Sequence, residues 1–312
     1  MSGKLRALRP GDVSGVAAPA GPVDGERLRR GVAELERLGF GVRLADGVLE
    51  RRGFTAGSVD TRVDQLHDLF ADPGVAAIAC ARGGAGVLQL LPHLGRELLR
   101  ANPKLLVGYS DITLLHLELG GLGIPSLHGP MVARELADGE EGYDRASLWH
   151  GLTGAGAPYA SQPDDLVALQ GGSGEGVLRG GCLSLLAAAA GTPWALRGSD
   201  EPTLLFIEDV DERPYRIDRM LRQLRASGAL QGVRGVVFGD MKGCAPSFHD
   251  DYSLEDVLLE ALAGLDVPVA LGLSSGHTTH PGITLPLGVR ARLECLGDEA
   301  RFEVLEAPVV VS

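Results

Sequence analysis

The sequence predicts an α/β protein: an N-terminal parallel-sheet domain of Rossmann or flavodoxin-like type, then a second, smaller α/β domain with a β-rich C-terminus. Three observations carry this expectation. Short apolar runs of strand length alternate with amphipathic stretches of helix length through the first half of the chain. Glycine is abundant, 45 of 312 residues, and gathers at the ends of the apolar runs, where tight strand-to-helix turns use its conformational freedom. The length, 312 residues, suggests two domains at roughly 150 residues each.

The elements follow in order. Residues 15–19 read as a buried strand ending in a turn. Residues 24–39 carry Leu28, Val32, Leu35 and Leu38 at helical spacing, and Gly39 stops that helix. Residues 41–45 are a second strand candidate. Ser58 looks like an N-cap for a helix with Val63, Leu66 and Leu69 on one face. Residues 75–80 and 104–109 are continuous apolar runs, as expected of parallel strands covered on both faces. Residues 111–119 read as a helix. About residues 135–175 the alternation fails, in a stretch rich in Gly, Asp, Ala and Ser. The expected organisation is therefore an N-terminal domain over 1–150, a connecting segment over 151–175 and a C-terminal domain over 176–312. In the latter, 203–209, 234–239 and 267–273 read as strands. Residues 214–230, with Pro214 in the first turn, and 253–265, with a Ser-x-x-Asp start, read as helices. Residues 289–296 and 301–311 look like β structure.

Composition narrows the function. With 29 basic and 41 acidic side chains the net charge is −12, which argues against a nucleic-acid binder and against an anionic membrane surface. The four cysteines, Cys80, Cys182, Cys244 and Cys295, form no C-x-x-C pair, so reduced thiols are expected and a structural zinc site is not. The first residues lack the apolar core of a secretory signal, and no apolar run reaches spanning length. The expectation is a cytoplasmic protein with no cofactor and no metal.

Four segments could carry chemistry. Leu105-Leu106-Val107-Gly108-Tyr109-Ser110-Asp111-Ile112-Thr113 runs a buried strand into Ser110 and a helix at once after it. That is the layout of a nucleophile elbow, although Ile112 stands where G-x-S-x-G has its second glycine. From this segment alone Ser110 reads either as a helix cap or as a nucleophile. Ala81-Arg82-Gly83-Gly84-Ala85-Gly86 follows a strand and could aim backbone N–H groups at a ligand, or be a tight turn. Glu208-Asp209-Val210-Asp211-Glu212 places acids at the carboxyl end of a strand, where ligands bind in open α/β sheets; a solvated acidic loop is the alternative. Ser275-Gly276-His277-Thr278-Thr279-His280 offers a base or a pair of metal-ligand spacing, though no nearby acid or Cys completes a metal set; a loop histidine with no role is the alternative. Cys182, at the start of an apparent helix, is a competing nucleophile.

Taken together, in order and over nearly the whole chain, these segments resemble the LD-carboxypeptidases, serine peptidases of the murein tetrapeptide carboxypeptidase type. Ala17-Ala18-Pro19, His128-Gly129-Pro130-Met131, Gly180-Gly181-Cys182-Leu183-Ser184-Leu185-Leu186, Pro214-Tyr215-Arg216-Ile217-Asp218-Arg219 and Leu285-Pro286-Leu287-Gly288 belong to the same set. The resemblance implies Ser110 as nucleophile, His277 as general base and Glu208 as the carboxylate orienting it. It implies an oxyanion hole from backbone N–H groups at Gly83, Gly84 and Asp111. It also implies a nucleophile on the N-terminal domain, its base and acid on the C-terminal one, and a cleft between. Arg82 is the candidate for a substrate carboxylate. Ala85 stands where the family often has Tyr, and Cys182 where it often has Asn. The expected activity is hydrolysis of an L,D peptide bond, releasing D-Ala from murein tetrapeptide in cell-wall recycling, by a homodimer. The alternatives are an immunity-type peptidase of the same family, acting on a peptide–nucleotide antibiotic, and a non-catalytic small-molecule binding protein.

Overall fold

The run Val75–Cys80, the most uniformly apolar in the first half, is buried along nearly its whole length and takes a central place in a six-stranded sheet. The computed structural model describes residues 4–161, 166–247, 251–279 and 281–311. In chain order the strands are β1 (Leu5–Arg6), β2 (Val13–Ala17), β3 (Gly41–Leu44), β4 (Val75–Cys80), β5 (Leu105–Gly108), β6 (Ser126–His128), β7 (Val167–Gln170) and β8 (Gly172–Cys182). They continue as β9 (Thr203–Glu208), β10 (Val233–Gly239), β11 (Val269–Leu273), β12 (Leu285–Leu287), β13 (Arg290–Leu296), β14 (Glu299–Val304) and β15 (Val309–Val310). The helices are α1 (Gly25–Arg37), α2 (Val59–Ala71), α3 (Arg96–Ala101), α4 (Thr113–Gly121), α5 (Arg145–Thr153), α6 (Leu183–Ala189), α7 (Pro214–Ala226) and α8 (Leu254–Ala261). Among the described residues no helix is long and apolar enough to cross a membrane.

The chain forms two units. One comprises Met1–Ala157, His280–Gly288 and Ala307–Ser312; the other comprises Pro158–Thr279 and Val289–Glu306. In the first, β3, β2, β4, β5 and β6 are parallel, and β12 adds antiparallel to β6, with Leu285 opposite His128. Counted within the parallel sheet, the order is 2-1-3-4-5, the flavodoxin-like winding. Its order reverses between β2 and β4, and such a switch point is where ligands bind outside the carboxyl ends of strands. The loops leaving these two strands are Ala18-Pro19-Ala20-Gly21-Pro22 and Ala81-Arg82-Gly83-Gly84-Ala85-Gly86.

The second unit is a closed barrel in the order β10-β11-β7-β14-β13-β8-β9. The β8–β9, β9–β10 and β10–β11 pairs are parallel; the others are antiparallel. Closure removes the open edges that a sheet would otherwise expose.

Local chemistry sets the helix ends. Asp24 caps α1 by accepting from the Arg27 N–H, and Ser58 caps α2 through the Thr61 N–H. Ser253 and Asp256 form a reciprocal capping box at α8. Helix α7 ends at Ala226, short of the expected 230, because Gly228 takes φ 81° and turns the chain out of the helix.

The stretch 135–175, whose periodicity in sequence is weak, holds α5, β7 and the start of β8. Helix α5 buries Ser147, His150, Gly151 and Thr153 alongside Leu148 and Leu152, so it carries no apolar stripe. The start of strand β8, up to residue 175, falls in the expected connecting segment because it is rich in glycine, whereas Arg179 onward reads as a strand leading into a helix. The glycines answer to crowding: a Cβ at Gly174 would lie 1.8 Å from Arg234 O, and one at Gly180 would lie 1.8 Å from Phe206 O.

Candidate active site

Ser110 leaves a fully buried strand, β5, and enters a 3₁₀ turn, Ser110–Ile112, that leads directly into α4. Its φ is 65°, a left-handed conformation that costs a non-glycine residue on the order of 1–3 kcal/mol. Strain of this kind persists only where the surroundings impose it. Here Gly83 packs against the turn so closely that a Cβ at position 83 would sit 2.9 Å from Ser110 Cβ and 3.2 Å from its Oγ. The carbonyl of Gly108, two residues before Ser110, accepts from His116 Nε2 at 2.8 Å and from the Gly129 N–H at 3.2 Å. His116 Nδ1 lies 2.8 Å from Ser126 Oγ. Since a carbonyl only accepts, the Nε2–H tautomer is fixed. Full burial, with His128 beside it, pushes the His116 pKa down to about 3, so the ring is neutral.

The Gly83 carbonyl accepts from the Gly21 N–H at 3.1 Å and from Arg82 Nε at 3.1 Å. The peptide is trans, so the Gly84 N–H points the opposite way, away from Gly21. Arg82 Nη1 also donates to Pro22 O at 3.2 Å, so this guanidinium ties together the loops on either side of the switch point. The Asp111 carboxylate turns inward: Oδ2 accepts from the Val87 N–H at 2.9 Å. Burial pushes its pKa up to about 6, against the opposing pull of that N–H and of Arg62.

The second unit brings Glu208 and His277 together. Glu208 ends β9 and is 1% exposed. Its Oε2 lies 2.7 Å from His277 Nδ1 and accepts the His277 backbone N–H at 3.1 Å. A carboxylate accepts only, so Nδ1 carries a proton, and in the neutral ring Nε2 is then the basic nitrogen, the form of a general base. Gly276, at φ 86°, makes the bend before the histidine, and a Cβ at Gly239 would meet Glu208 Cβ at 2.8 Å. His280 lies outside the described residues.

A profile of the LD-carboxypeptidase N-terminal domain matches residues 15–129, and one of the C-terminal domain matches 175–293. The chain belongs to the LD-carboxypeptidase family. It is 37% identical over 305 residues to a Bacillus subtilis (strain 168) protein named "Probable murein peptide carboxypeptidase", covering 96% of this chain and 94% of that one. The crystal structure of a muramoyltetrapeptide carboxypeptidase from Oxalobacter formigenes superposes with a TM-score of 0.81 at 30% identity, covering 95% and 100% of the two chains. That of an MccF-like protein from Bacillus anthracis str. Ames gives 0.87 at 27% identity, covering 97% and 99%. The chain is thus an enzyme of the serine carboxypeptidase type.

In this LD-carboxypeptidase the thiol of Cys182 is ill suited to nucleophilic attack. It is 2% exposed, and burial beside Glu208 and Asp209 pushes its pKa well up, so the thiolate is absent at neutral pH. Asp209 Oδ2 takes the Ser184 N–H at 2.7 Å, at the start of α6. The acidic run after β9 therefore splits: Glu208 and Asp209 are buried and bonded, while Asp211 is exposed. Ala85 is exposed as well. Sequence reasoning missed two buried groups. One is His116, within an apolar helix. The other is Arg62, 1% exposed on α2, which donates to Pro19 O, Gly86 O, Ser58 O and Gln89 Oε1. A cation amid apolar positions at helical spacing was the available signal for Arg62; nothing marked His116.

Proposed function

We propose that this enzyme releases the terminal D-Ala of murein tetrapeptide by cleaving the L,D bond before it, through an acyl-enzyme on Ser110. His277 Nε2 takes the Ser110 proton and later activates the hydrolytic water; Glu208 holds the ring and stabilises its protonated form. The N–H groups around Gly83-Gly84 and of Asp111 stabilise the oxyanion. The observation that carries this reading is the hydrogen bond of His277 Nδ1 to the buried Glu208 carboxylate, which makes Nε2 the basic nitrogen of the neutral ring, in a chain whose Ser110 is held in a strained turn. The names of the Bacillus and Oxalobacter relatives support the murein substrate. The setting we infer is cytoplasmic cell-wall recycling by a homodimer.

Arg82 enters this reading with two of its nitrogens engaged by Pro22 and Gly83 carbonyls. Nη2 is the nitrogen we assign to the substrate carboxylate, alongside the turn that Arg82 holds.

The test is mass spectrometry of murein tetrapeptide incubated with the protein. We expect loss of D-Ala, abolished in Ser110→Ala, and fluorophosphonate labelling at Ser110. A tetrapeptide amidated at its terminus should be cut roughly a hundredfold more slowly, since hydrogen bonds to charged groups contribute about 1.5–3 kcal/mol. Equal rates would make the protein an endopeptidase or amidase. Labelling without tetrapeptide cleavage, together with cleavage of a peptide–nucleotide conjugate, would move it to the immunity-type branch.

A further inference from the structure

The peptide unit joining Gly86 to Val87 is held from both sides. Its carbonyl accepts from Arg62 Nη1 at 3.0 Å, and its N–H donates to Asp111 Oδ2 at 2.9 Å. Arg62 is 1% exposed and Asp111 4%. Opposite charges therefore grip opposite ends of one peptide dipole, out of water, where charge-assisted hydrogen bonds are strongest. The plane of that peptide is fixed, and the backbone is built for it. Gly86 has φ 122°, and a Cβ there would sit 2.7 Å from Arg62 Nη1 and 2.7 Å from Thr55 Cγ2. Arg62 also donates to Pro19 O at 2.9 Å, so the same cation reaches the loop after β2.

We propose that Asp111 is a positioning residue: its carboxylate, countered by Arg62, locks the loop after β4, with Gly83 and Gly84, against the turn of Ser110. The proposal rests on the reading above, in which backbone N–H groups of that loop and of Asp111 stabilise the oxyanion. One residue then serves both donors. Its N–H is one of them, and its side chain holds the loop that bears the other. Removing the carboxylate frees the loop to drift from Ser110. Oxyanion contacts matter most in the transition state, so the loss falls on kcat and leaves KM little changed.

The experiment measures tetrapeptide kinetics, the rate of fluorophosphonate labelling at Ser110, and hydrogen exchange of the Val87 amide. Asp111→Ala is expected to lower kcat about ten- to a hundredfold with KM within about twofold, and to slow labelling in parallel. Asp111→Asn keeps an acceptor oxygen for the Val87 N–H and should restore kcat to within about fivefold of wild type. In the wild type the Val87 amide should be strongly protected, a readout that stands even where Asp111→Ala does not fold. A folded Asp111→Ala with wild-type kcat overturns the proposal. So does an Asp111→Asn as slow as Asp111→Ala, or a Val87 amide exchanging like an open loop amide. A wild-type protein that is neither labelled at Ser110 nor cuts tetrapeptide overturns the parent reading as well. A fully active wild type with an indifferent Asp111→Ala overturns the positioning role alone.

Discussion

A single carboxylate oxygen, Oε2 of Glu208, receives two hydrogen bonds from His277, one from ring Nδ1 at 2.7 Å and one from the backbone N–H at 3.1 Å. The first fixes the tautomer and the ring. The second fixes the loop that carries the ring, so orientation does not depend on the side-chain torsions alone. Glu208→Gln preserves volume but removes the negative charge that stabilises an imidazolium. We expect kcat to fall by about 10⁴-fold with KM little changed, the loss seen when a triad carboxylate becomes an amide. Steady-state kinetics on murein tetrapeptide checks this; a variant within threefold of wild type would remove Glu208 from the mechanism.

Gly83 is constrained by contact with Ser110. A methyl group at position 83 would lie 2.9 Å from Ser110 Cβ, well inside the roughly 3.5–4.0 Å at which carbon atoms rest. Overpacking of this kind costs about 1–3 kcal/mol, and here the strain acts on the serine itself. Gly83→Ala should lose about ten- to a hundredfold in kcat while remaining folded. Gly120→Ala is the control, because a Cβ there meets nothing within 4 Å. Equal kinetics in the two variants would show that the close approach has no bearing on turnover.

His116 makes the first unit sensitive to acid. Its pKa falls from an ordinary 6.5 to about 3 in the folded protein, first through burial and then through the neighbouring His128. Below about pH 6.5 the unfolded chain takes up a proton that the folded chain refuses. The stability it contributes is therefore complete above that pH and is lost progressively as pH falls toward 3. Between pH 7.5 and pH 5.5 the loss is about 1.4 kcal/mol. In urea unfolding, the difference between wild type and His116→Gln should shrink by about that amount over the same interval. A difference independent of pH would mean that the ring is protonated in place.

All four thiols, Cys80, Cys182, Cys244 and Cys295, are buried and none is in a disulfide, and burial raises each pKa. Iodoacetamide at pH 8 should modify none of them in the native protein and all four in denaturant, as counted by mass spectrometry. Cys182→Ser should keep fluorophosphonate labelling of Ser110. Native alkylation of Cys182 with loss of activity would return it to consideration as a nucleophile.

The amino-acid sequence by itself determined the parallel sheet of the first unit, because strands buried on both faces need continuous apolar runs and amphipathic helices need a 3.6-residue period. It also marked the strand-to-helix turn at Ser110, the glycine loop after β4, and the positions of Glu208 and His277, since each follows an apolar strand. Only the tertiary structure decided the rest. The start of strand β8 is legible in no pattern, for Gly174 responds to backbone from β10 that approaches from elsewhere in the chain, whereas its end at Arg179 reads as a strand leading into a helix. The return of Leu285–Leu287 to pair with Ser126–His128 rests on a register set across more than 150 residues, which local periodicity does not encode. The bonds of Glu208 with His277, separated by 69 positions, and of Asp111 with Val87, separated by 24, likewise follow from where strand ends converge. Arg62 shows the limit most plainly. A cation on a helix reads as solvent-facing, and only the carbonyls gathered around it by folding give it reason to be buried.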